Sequence, residues 1–350
     1  MRNRLRGKFF AFVRHLSALD ENRQIFCSML RLNNLLVTPA EFSLHHNGDA
    51  PYPELSRSTK PERTRLRSDI IFITGRFRSG STLLWNLFRN VEAVTAYYEP
   101  FNERRWFDPA TRGGRVDPTH LNVREYWAEY DGLDVLGKYY SEDWTRRQLY
   151  MNAHAWNPDM QRYIETLVEG SRGRPVLQFN RVDLRLPWLR YHFPHAKILH
   201  IFRHPRDNWC STLGRQTTNG SNLRLGNYQS LDGFYLLTWG LDLRHYFPFL
   251  TLDEESHPYE LFYQIWKLSY LFGRAYSDMS ISFEEILGSP ESTIRNVLSG
   301  LSVESYDLAK LGGMVSPVAT GTWKRLADDQ WFKAIEERVD NTINDYLGYA

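Results

Sequence analysis

The sequence has few cysteines, almost no net charge and no long apolar run near its start, and each absence excludes a class of protein. Cys27 and Cys210 are the two cysteines among 350 residues, so no disulfide framework can form and a reducing compartment is expected. The 43 basic and 41 acidic residues leave a net charge of +2, too small for a nucleic-acid-binding surface. The run from Phe9 to Val13 is far shorter than the roughly 20 apolar residues that span a bilayer. We therefore predict no integral membrane segment, no nucleic-acid partner and no metal site.

Strand and helix patterns alternate along most of the chain, which favours an α/β protein. We expect a P-loop-type three-layer fold, in which helices flank a central parallel sheet. Residues 1–67 are predicted to form an N-terminal helical extension and linker, and residues 68–350 one α/β domain. A segment rich in Trp and Tyr, at about 101–173, is predicted to be a helical insertion beside a ligand cleft.

A loop built to hold phosphate joins the first predicted strand to a helix. The strand Asp69–Thr74 is β-branched and aromatic, and Leu83–Phe88 continues with helical spacing. Between them, backbone N–H groups and the positive end of the helix dipole converge on one point, where an anion can bind.

The spacing from Gly75 to Gly80 is that of a Walker A loop, with one important difference. Ser81 occupies the position at which that motif requires a lysine for the outer phosphates of a triphosphate. Arg78, inside the loop, supplies a cation instead. An ordinary strand-to-helix turn with incidental glycine and serines is the structural alternative.

A second anion site is predicted at the end of the strand Ala196–Phe202. Arg203 follows the strand, Pro205 suits the first turn of a helix, and Ser211 lies eight residues after Arg203. A guanidinium fork and a hydroxyl on the following helix can hold different oxygens of one phosphate. For either residue alone, a structural role on the surface would be the simpler interpretation.

These two turns, in this order, resemble the donor site of the sulfotransferases that use 3′-phosphoadenosine 5′-phosphosulfate (PAPS), particularly the carbohydrate and tyrosyl branch. Weaker similarities lie at Val176–Arg181, Met279–Leu287 and Gly321–Arg325. The resemblance implies that the first turn binds the 5′-phosphosulfate and the second the 3′-phosphate. It assigns donor binding to Arg76, Arg78, Ser79, Gly80, Ser81, Thr82, Arg203, Ser211 and Lys324.

Two departures from the cytosolic members concern adenine and the base. Leu83 stands where those enzymes stack a Trp on adenine, and Gln178 and Asn180 stand where they carry a Lys and a catalytic His. The carbohydrate and tyrosyl members carry a Glu after the first helix instead, and Glu99 lies at that distance. We expect Glu99, buried beside aromatic rings, to be the general base, with Glu103 as the fallback. The alternative is a surface carboxylate paired with a neighbouring arginine.

The predicted function is in-line transfer of the sulfuryl group from PAPS to a hydroxyl of a carbohydrate, lipid or other small molecule. Glu99 and Arg78 would be the catalytic residues, and no metal is required because Arg78 and the loop amides supply positive charge. We expect a cytoplasmic enzyme that is similar to soluble bacterial members. A kinase-like phosphotransferase and a non-catalytic adenine-nucleotide-binding relative are the alternatives.

Overall fold

The computed structural model describes residues 67–213 and 222–347. The predicted N-terminal extension therefore lies outside the described residues, apart from Arg67. Within the described part of the chain, five parallel strands form one sheet in the order β2-β3-β1-β4-β5. The strands are β1 (Ile71–Thr74), β2 (Val94–Tyr98), β3 (Arg174–Phe179), β4 (Lys197–Phe202) and β5 (Met279–Ser282).

Helices connect and flank these strands, which confirms the predicted α/β fold with a parallel sheet. In chain order they are α1 (Ser81–Arg89), α2 (Pro158–Gly170), α3 (Leu186–His192), α4 (Pro205–Leu213), α5 (Leu225–Tyr228), α6 (Leu236–Leu243), α7 (Pro258–Tyr276), α8 (Phe283–Gly288), α9 (Pro290–Gly300), α10 (Leu308–Gly313) and α11 (Asp329–Leu347).

The central strand, β1, is buried along its whole length, as its Ile-Phe-Ile-Thr sequence predicts. It pairs with β3 on one side and with β4 on the other, so that Thr74 lies opposite Phe179 and His200. The chain leaves β1 towards β2 on one side and later crosses to β4 and β5 on the other. Ligands of parallel sheets bind at such a switch point, beyond the carboxyl ends of the strands.

The segment between β2 and β3 is less helical than the sequence predicted. Residues 101–157 consist mainly of turns and short 3₁₀ helices, and the α-helix α2 follows them. Several aromatic side chains of residues 101–157 are core residues, since Tyr126, Tyr130 and Trp144 are at most 3% exposed, whereas Trp156 is 47% exposed. Burial of large rings, rather than helix periodicity, therefore holds this segment on the sheet.

The buried apolar residues form two clusters. One joins the strands to α1, α2 and α9, and the other joins α4, α6, α7 and α11. Phe77, from the loop after β1, belongs to the second cluster and packs against Phe234 and Trp239 at ring-centroid distances of 5.4 and 5.5 Å. The loop is thereby anchored to α6 and to the residues just before it.

Candidate active site

The loop between β1 and α1 is tightly packed against its neighbours. A Cβ atom on Gly75 would lie 2.5 Å from the carbonyl oxygen of Ile201, and one on Gly80 would lie 2.3 Å from the ring of Phe283. Gly80 also has φ +94°, a conformation that favours glycine, and it is the N-cap of α1. The first turn of α1 has no acidic side chain, so its free N–H groups are available to an anion.

The turn between β4 and α4 places a second cation at the same edge of the sheet. Arg203 is 7% exposed, and its guanidinium carbon lies 5.1 Å from the ring centroid of Phe283. Burial lowers the pKa of Arg203 from its ordinary value, although Asp207 opposes the shift. Within the described residues, its buried Nε has no hydrogen-bond partner. The side chain therefore has a donor free for a ligand.

The two turns meet in one cleft. Arg78 Nε donates to Ser211 Oγ at 3.0 Å, and Arg203 Nη1 lies 3.5 Å from the carbonyl oxygen of Arg78. The cleft has a volume of about 1200 Å³. Among the residues predicted to bind the donor, those that line it are Arg78, Gly80, Ser81, Thr82, Arg203 and Ser211.

Arg76 lies elsewhere, contrary to the prediction from the loop sequence. Its Nη1 is 4.0 Å from Asp183 Oδ2, and its guanidinium stacks 4.5 Å from the ring centroid of Trp239. Burial lowers the pKa of Arg76 to about 10, against the opposing charge of Asp183. In the described structure Arg76 therefore belongs to the packing behind the loop and not to the cleft lining.

Ser79 and Lys324 are also absent from the cleft lining of the described chain. The Ser79 N–H donates to the carbonyl of Arg76 at 3.2 Å and closes the turn, while its hydroxyl is buried. Lys324 is exposed, and Thr322 and Arg325 of the same loop line the cleft in its place.

Asp207 fixes that C-terminal loop over the second turn. Its carboxylate accepts hydrogen bonds from the N–H of Gly321 at 2.7 Å and of Thr322 at 2.8 Å, and from the Thr322 hydroxyl at 2.9 Å. Arg206, three residues after Arg203, pairs with Asp329 and Glu336 of α11. One residue of α4 thus positions the loop, and its neighbour anchors the C-terminal helix.

Glu99 lies directly after β2 and also lines the cleft. Its φ is +40°, uncommon for a residue with a side chain, and it is 7% exposed. Its carboxylate accepts from Asn102 Nδ2 at 2.6 Å, Asn180 Nδ2 at 2.6 Å and Arg181 Nη1 at 3.0 Å. Three donors, one of them charged, therefore surround the carboxylate, a more polar environment than the aromatic one expected from the sequence.

Arg181 also binds Glu103, a contact that sequence reasoning missed. Arg181 Nη2 donates to Glu103 Oε2 at 2.7 Å, and the Tyr235 hydroxyl donates to Glu103 Oε1 at 2.7 Å. Burial alone would raise the pKa of Glu103, but Arg181 and Tyr235 outweigh it and lower the pKa overall. The position of Arg181 one residue after Asn180, at the end of β3, was the signal that could have identified it.

The cleft lining carries further polar groups from β2 and from the irregular segment that follows it. The Tyr98 hydroxyl lies 3.2 Å from Thr82 Oγ1, and His120 Nδ1 lies 2.6 Å from the Tyr126 hydroxyl. Burial lowers the pKa of His120, although the charges of Asp117 and Glu99 oppose this, so its imidazole is neutral near pH 7. No motif marked His120, because the segment has no regular periodicity.

No group of His, Cys, Asp or Glu among the described residues has the arrangement of a metal site. None of the helices in ranges 67–213 and 222–347 has the length and apolarity needed to cross a bilayer.

Comparison with known proteins identifies a family to which most of this chain is similar. Residues 69–307 match the model of a sulfotransferase family. A solved sulfotransferase from Alicyclobacillus acidocaldarius is 17% identical, with a TM-score of 0.39, and the match covers 79% of this chain and 95% of that one. Sulfotransferase STF9 from Mycobacterium avium is 13% identical, with a TM-score of 0.45 and coverage of 85% and 81%. No curated protein sequence matches significantly.

Proposed function

This chain belongs to the sulfotransferase family and is therefore a PAPS-dependent transferase, and we propose that it transfers the sulfuryl group in the cleft described above. The observation that supports the cleft as the place of the reaction is the 3.0 Å hydrogen bond from Arg78 Nε to Ser211 Oγ. That contact joins the two anion-binding turns, so one ligand with two phosphate groups can reach both.

In the proposed reaction, the N-terminal amides of α1 and the hydroxyls of Ser81 and Thr82 hold the 5′-phosphate. Arg203 and Ser211 hold the 3′-phosphate, and the free Nε of Arg203 supports this role. Arg325 and Thr322 cover the same end of the cleft. These residues fit a ligand with two separated anionic groups, since cations and helix amides are present at both turns.

Glu99 acts at the acceptor end. The acceptor oxygen forms a bond to sulfur while the bond from sulfur to the 5′-phosphate oxygen breaks, and Glu99 accepts the acceptor's proton. Arg78 neutralises the charge that develops on the leaving oxygen. The strained backbone of Glu99, which the surrounding hydrogen bonds hold in place, supports a functional role for this residue.

The acceptor in this proposal carries a hydroxyl on a carbohydrate, lipid or other small molecule, and the reaction takes place in the cytoplasm. Incubation of the protein with radiolabelled PAPS and panels of glycans, lipids and phenols tests the reaction. Labelled acceptor is the expected product. Absence of binding of 3′,5′-bisphosphoadenosine, measured by calorimetry, would contradict the proposed donor site.

Two other activities predict different results in the same experiments. A kinase-like enzyme would bind magnesium nucleoside triphosphate in preference to bisphosphoadenosine, but Ser81 stands in place of the phosphate-binding lysine. A non-catalytic relative would bind bisphosphoadenosine without turnover. The presence of Glu99 in the cleft favours the enzyme.

A further inference from the structure

Arg181 connects the two carboxylates at the acceptor end of the cleft. Arg181 Nη1 lies 3.0 Å from Glu99 Oε2, and Arg181 Nη2 lies 2.7 Å from Glu103 Oε2. The amide of Asn180 holds the remaining oxygen of Glu99, and its own oxygen accepts from Arg181 at 2.9 Å. The four side chains form one hydrogen-bonded group with Arg181 at its centre.

Burial makes this group depend on its charge balance. The Arg181 side chain is 3% exposed, and its guanidinium lies 5.0 Å from the ring centroid of Phe77. Burial alone lowers the pKa of Arg181, but Glu99 and Glu103 raise it above its ordinary value, so the cation persists. Removal of the cation would leave two carboxylates without the charge that compensates them.

We propose that Arg181 is a positioning residue, which holds the Glu99 carboxylate oriented towards the acceptor hydroxyl and shares its charge with Glu103. This inference rests on the proposed function, because it assumes that Glu99 is the base. It adds a residue that sets the pH range of the reaction without contact with the donor or the transferred group.

Other ionisable groups also face Glu99 and can affect the pH dependence of kcat. Each lies near enough to interact with its charge: Tyr98 on β2, His120 and Tyr126 from the irregular segment, Tyr130 from the 3₁₀ helix Ala128–Tyr130, and Arg181 after β3. The tyrosines are neutral across the acidic range, because burial, the largest influence on each, raises their pKa. Arg181 is therefore the principal positive charge on Glu99 in neutral solution.

The first test compares Arg181→Gln with Arg181→Lys. The acidic limb of the pH profile of kcat follows the protonation of the base. Loss of the charge should move this limb to higher pH by about 1 to 3 units, the usual effect of one opposite charge at this distance. The lysine variant should show a smaller shift, and affinity for bisphosphoadenosine should stay within about threefold of wild type.

Arg185→Lys is the matched control. Arg185 lies four residues after Arg181 and is also fully buried. Its guanidinium, however, donates to the backbone carbonyls of Trp144, Arg147, Gln148 and Arg181. A variant at this site can lose stability, yet its acidic limb should remain in place. An equal shift in Arg185→Lys, or no shift in Arg181→Gln, would overturn the proposal.

Glu103→Gln provides a second variant that is expected to fold, because Glu103 is 32% exposed in its side chain. In this variant Arg181 no longer shares its charge with a carboxylate at position 103, so its effect on Glu99 is stronger. The acidic limb of the pH profile of kcat should therefore move to lower pH. A shift to higher pH would contradict the proposed sharing of charge.

A readout independent of turnover separates this inference from the proposed function. The carboxyl ¹³C resonance of Glu99, assigned with Glu99→Gln, can be followed against pH in wild type and Arg181→Gln. A titration that moves to higher pH in the variant supports the role of Arg181 even if no sulfuryl transfer is found. Unchanged titration in a protein that does transfer sulfuryl groups would reject the inference and leave the function standing.

Discussion

Buried arginines of this protein differ in what their guanidinium groups contact. Arg185 donates to backbone carbonyls, Arg206 pairs with two carboxylates, and Arg181 bridges two more. Arg203 lines the cleft, and its buried Nε has no hydrogen-bond partner in the described part of the chain, a feature that it shares with Arg76 and Arg181. The cost of an unpaired buried donor disappears if a phosphate oxygen binds there.

Arg203→Ala should therefore weaken donor binding. Loss of one charge-assisted hydrogen bond to phosphate is worth about 1.5 to 3 kcal/mol, or roughly tenfold to a hundredfold in the dissociation constant of bisphosphoadenosine. Calorimetric titration measures this. Arg295→Ala, on the exposed face of α9, is the surface control and should bind as wild type does. An unchanged constant for Arg203→Ala would remove this residue from the site.

Glu99→Gln should keep donor binding and lose turnover. Glutamine preserves the size of the side chain but cannot accept the proton, so kcat should fall by about two to four orders of magnitude. Single-turnover transfer from radiolabelled PAPS measures the loss, with bisphosphoadenosine affinity as the control for folding. Near-normal kcat would transfer the role of base to Glu103 or another group.

At the scale of the elements, the cleft depends on how strand-to-helix turns are packed together. The parallel pairing of β1 and β4 brings both turns to one edge, and Gly75 permits their close approach. Asp207 then ties the loop Gly321–Arg325 to the start of α4 through three hydrogen bonds. Segments that are distant in sequence thereby surround one anion-binding region.

Asp207→Ala should release the C-terminal loop. Without the carboxylate, binding of the donor must order this loop, at a cost of about 0.5 to 1.5 kcal/mol for each side chain that becomes fixed. We expect bisphosphoadenosine affinity to fall by up to about tenfold and trypsin to cleave faster after Lys324 or Arg325. Asp207→Asn, which keeps one acceptor oxygen, should have a smaller effect. Equal cleavage rates in wild type and Asp207→Ala would contradict the role given to Asp207.

At the scale of the whole molecule, stability depends also on buried groups that do not line the cleft in the described structure. His200 lies inside the sheet on β4, 1% exposed, with Nδ1 2.8 Å from the Ser280 hydroxyl and its ring packed against Gly273. Burial lowers its pKa from 6.5 to about 4, and the charge of Arg274 adds to this. The neutral ring is therefore part of the folded core.

The free energy of unfolding should decrease in acid because of His200. The unfolded chain binds a proton at His200 below about pH 6.5, whereas the folded chain resists it until about pH 4. This contribution is complete above pH 6.5, falls between pH 6.5 and 4, and amounts to on the order of 3 kcal/mol. Urea denaturation at pH 7 and pH 4.5 measures it. His200→Asn should be less stable at pH 7 but show a flatter pH dependence, and an equally steep one would refute this.

The sequence by itself determined the elements and their order. Buried β-branched strands, the glycine loop and Arg203 with Ser211 are local patterns, and local patterns specify strand, turn and helix. The parallel sheet and the adjacent turns follow from them, because carboxyl ends of parallel strands share one edge. Glu99 was also found from its place after the second strand, and its catalytic role remains a prediction.

The tertiary structure alone decided where each charged side chain points. Arg76 and Arg78 are two residues apart in one loop, yet one packs on Trp239 and the other reaches Ser211. Arg181 ends a segment of weak family similarity and His120 lies in no motif, so neither was predicted as a site residue, and long-range contacts bring both to the cleft. The physical reason is that a flexible charged side chain pairs with the group that best compensates the free-energy cost of its desolvation. That group is usually distant in sequence.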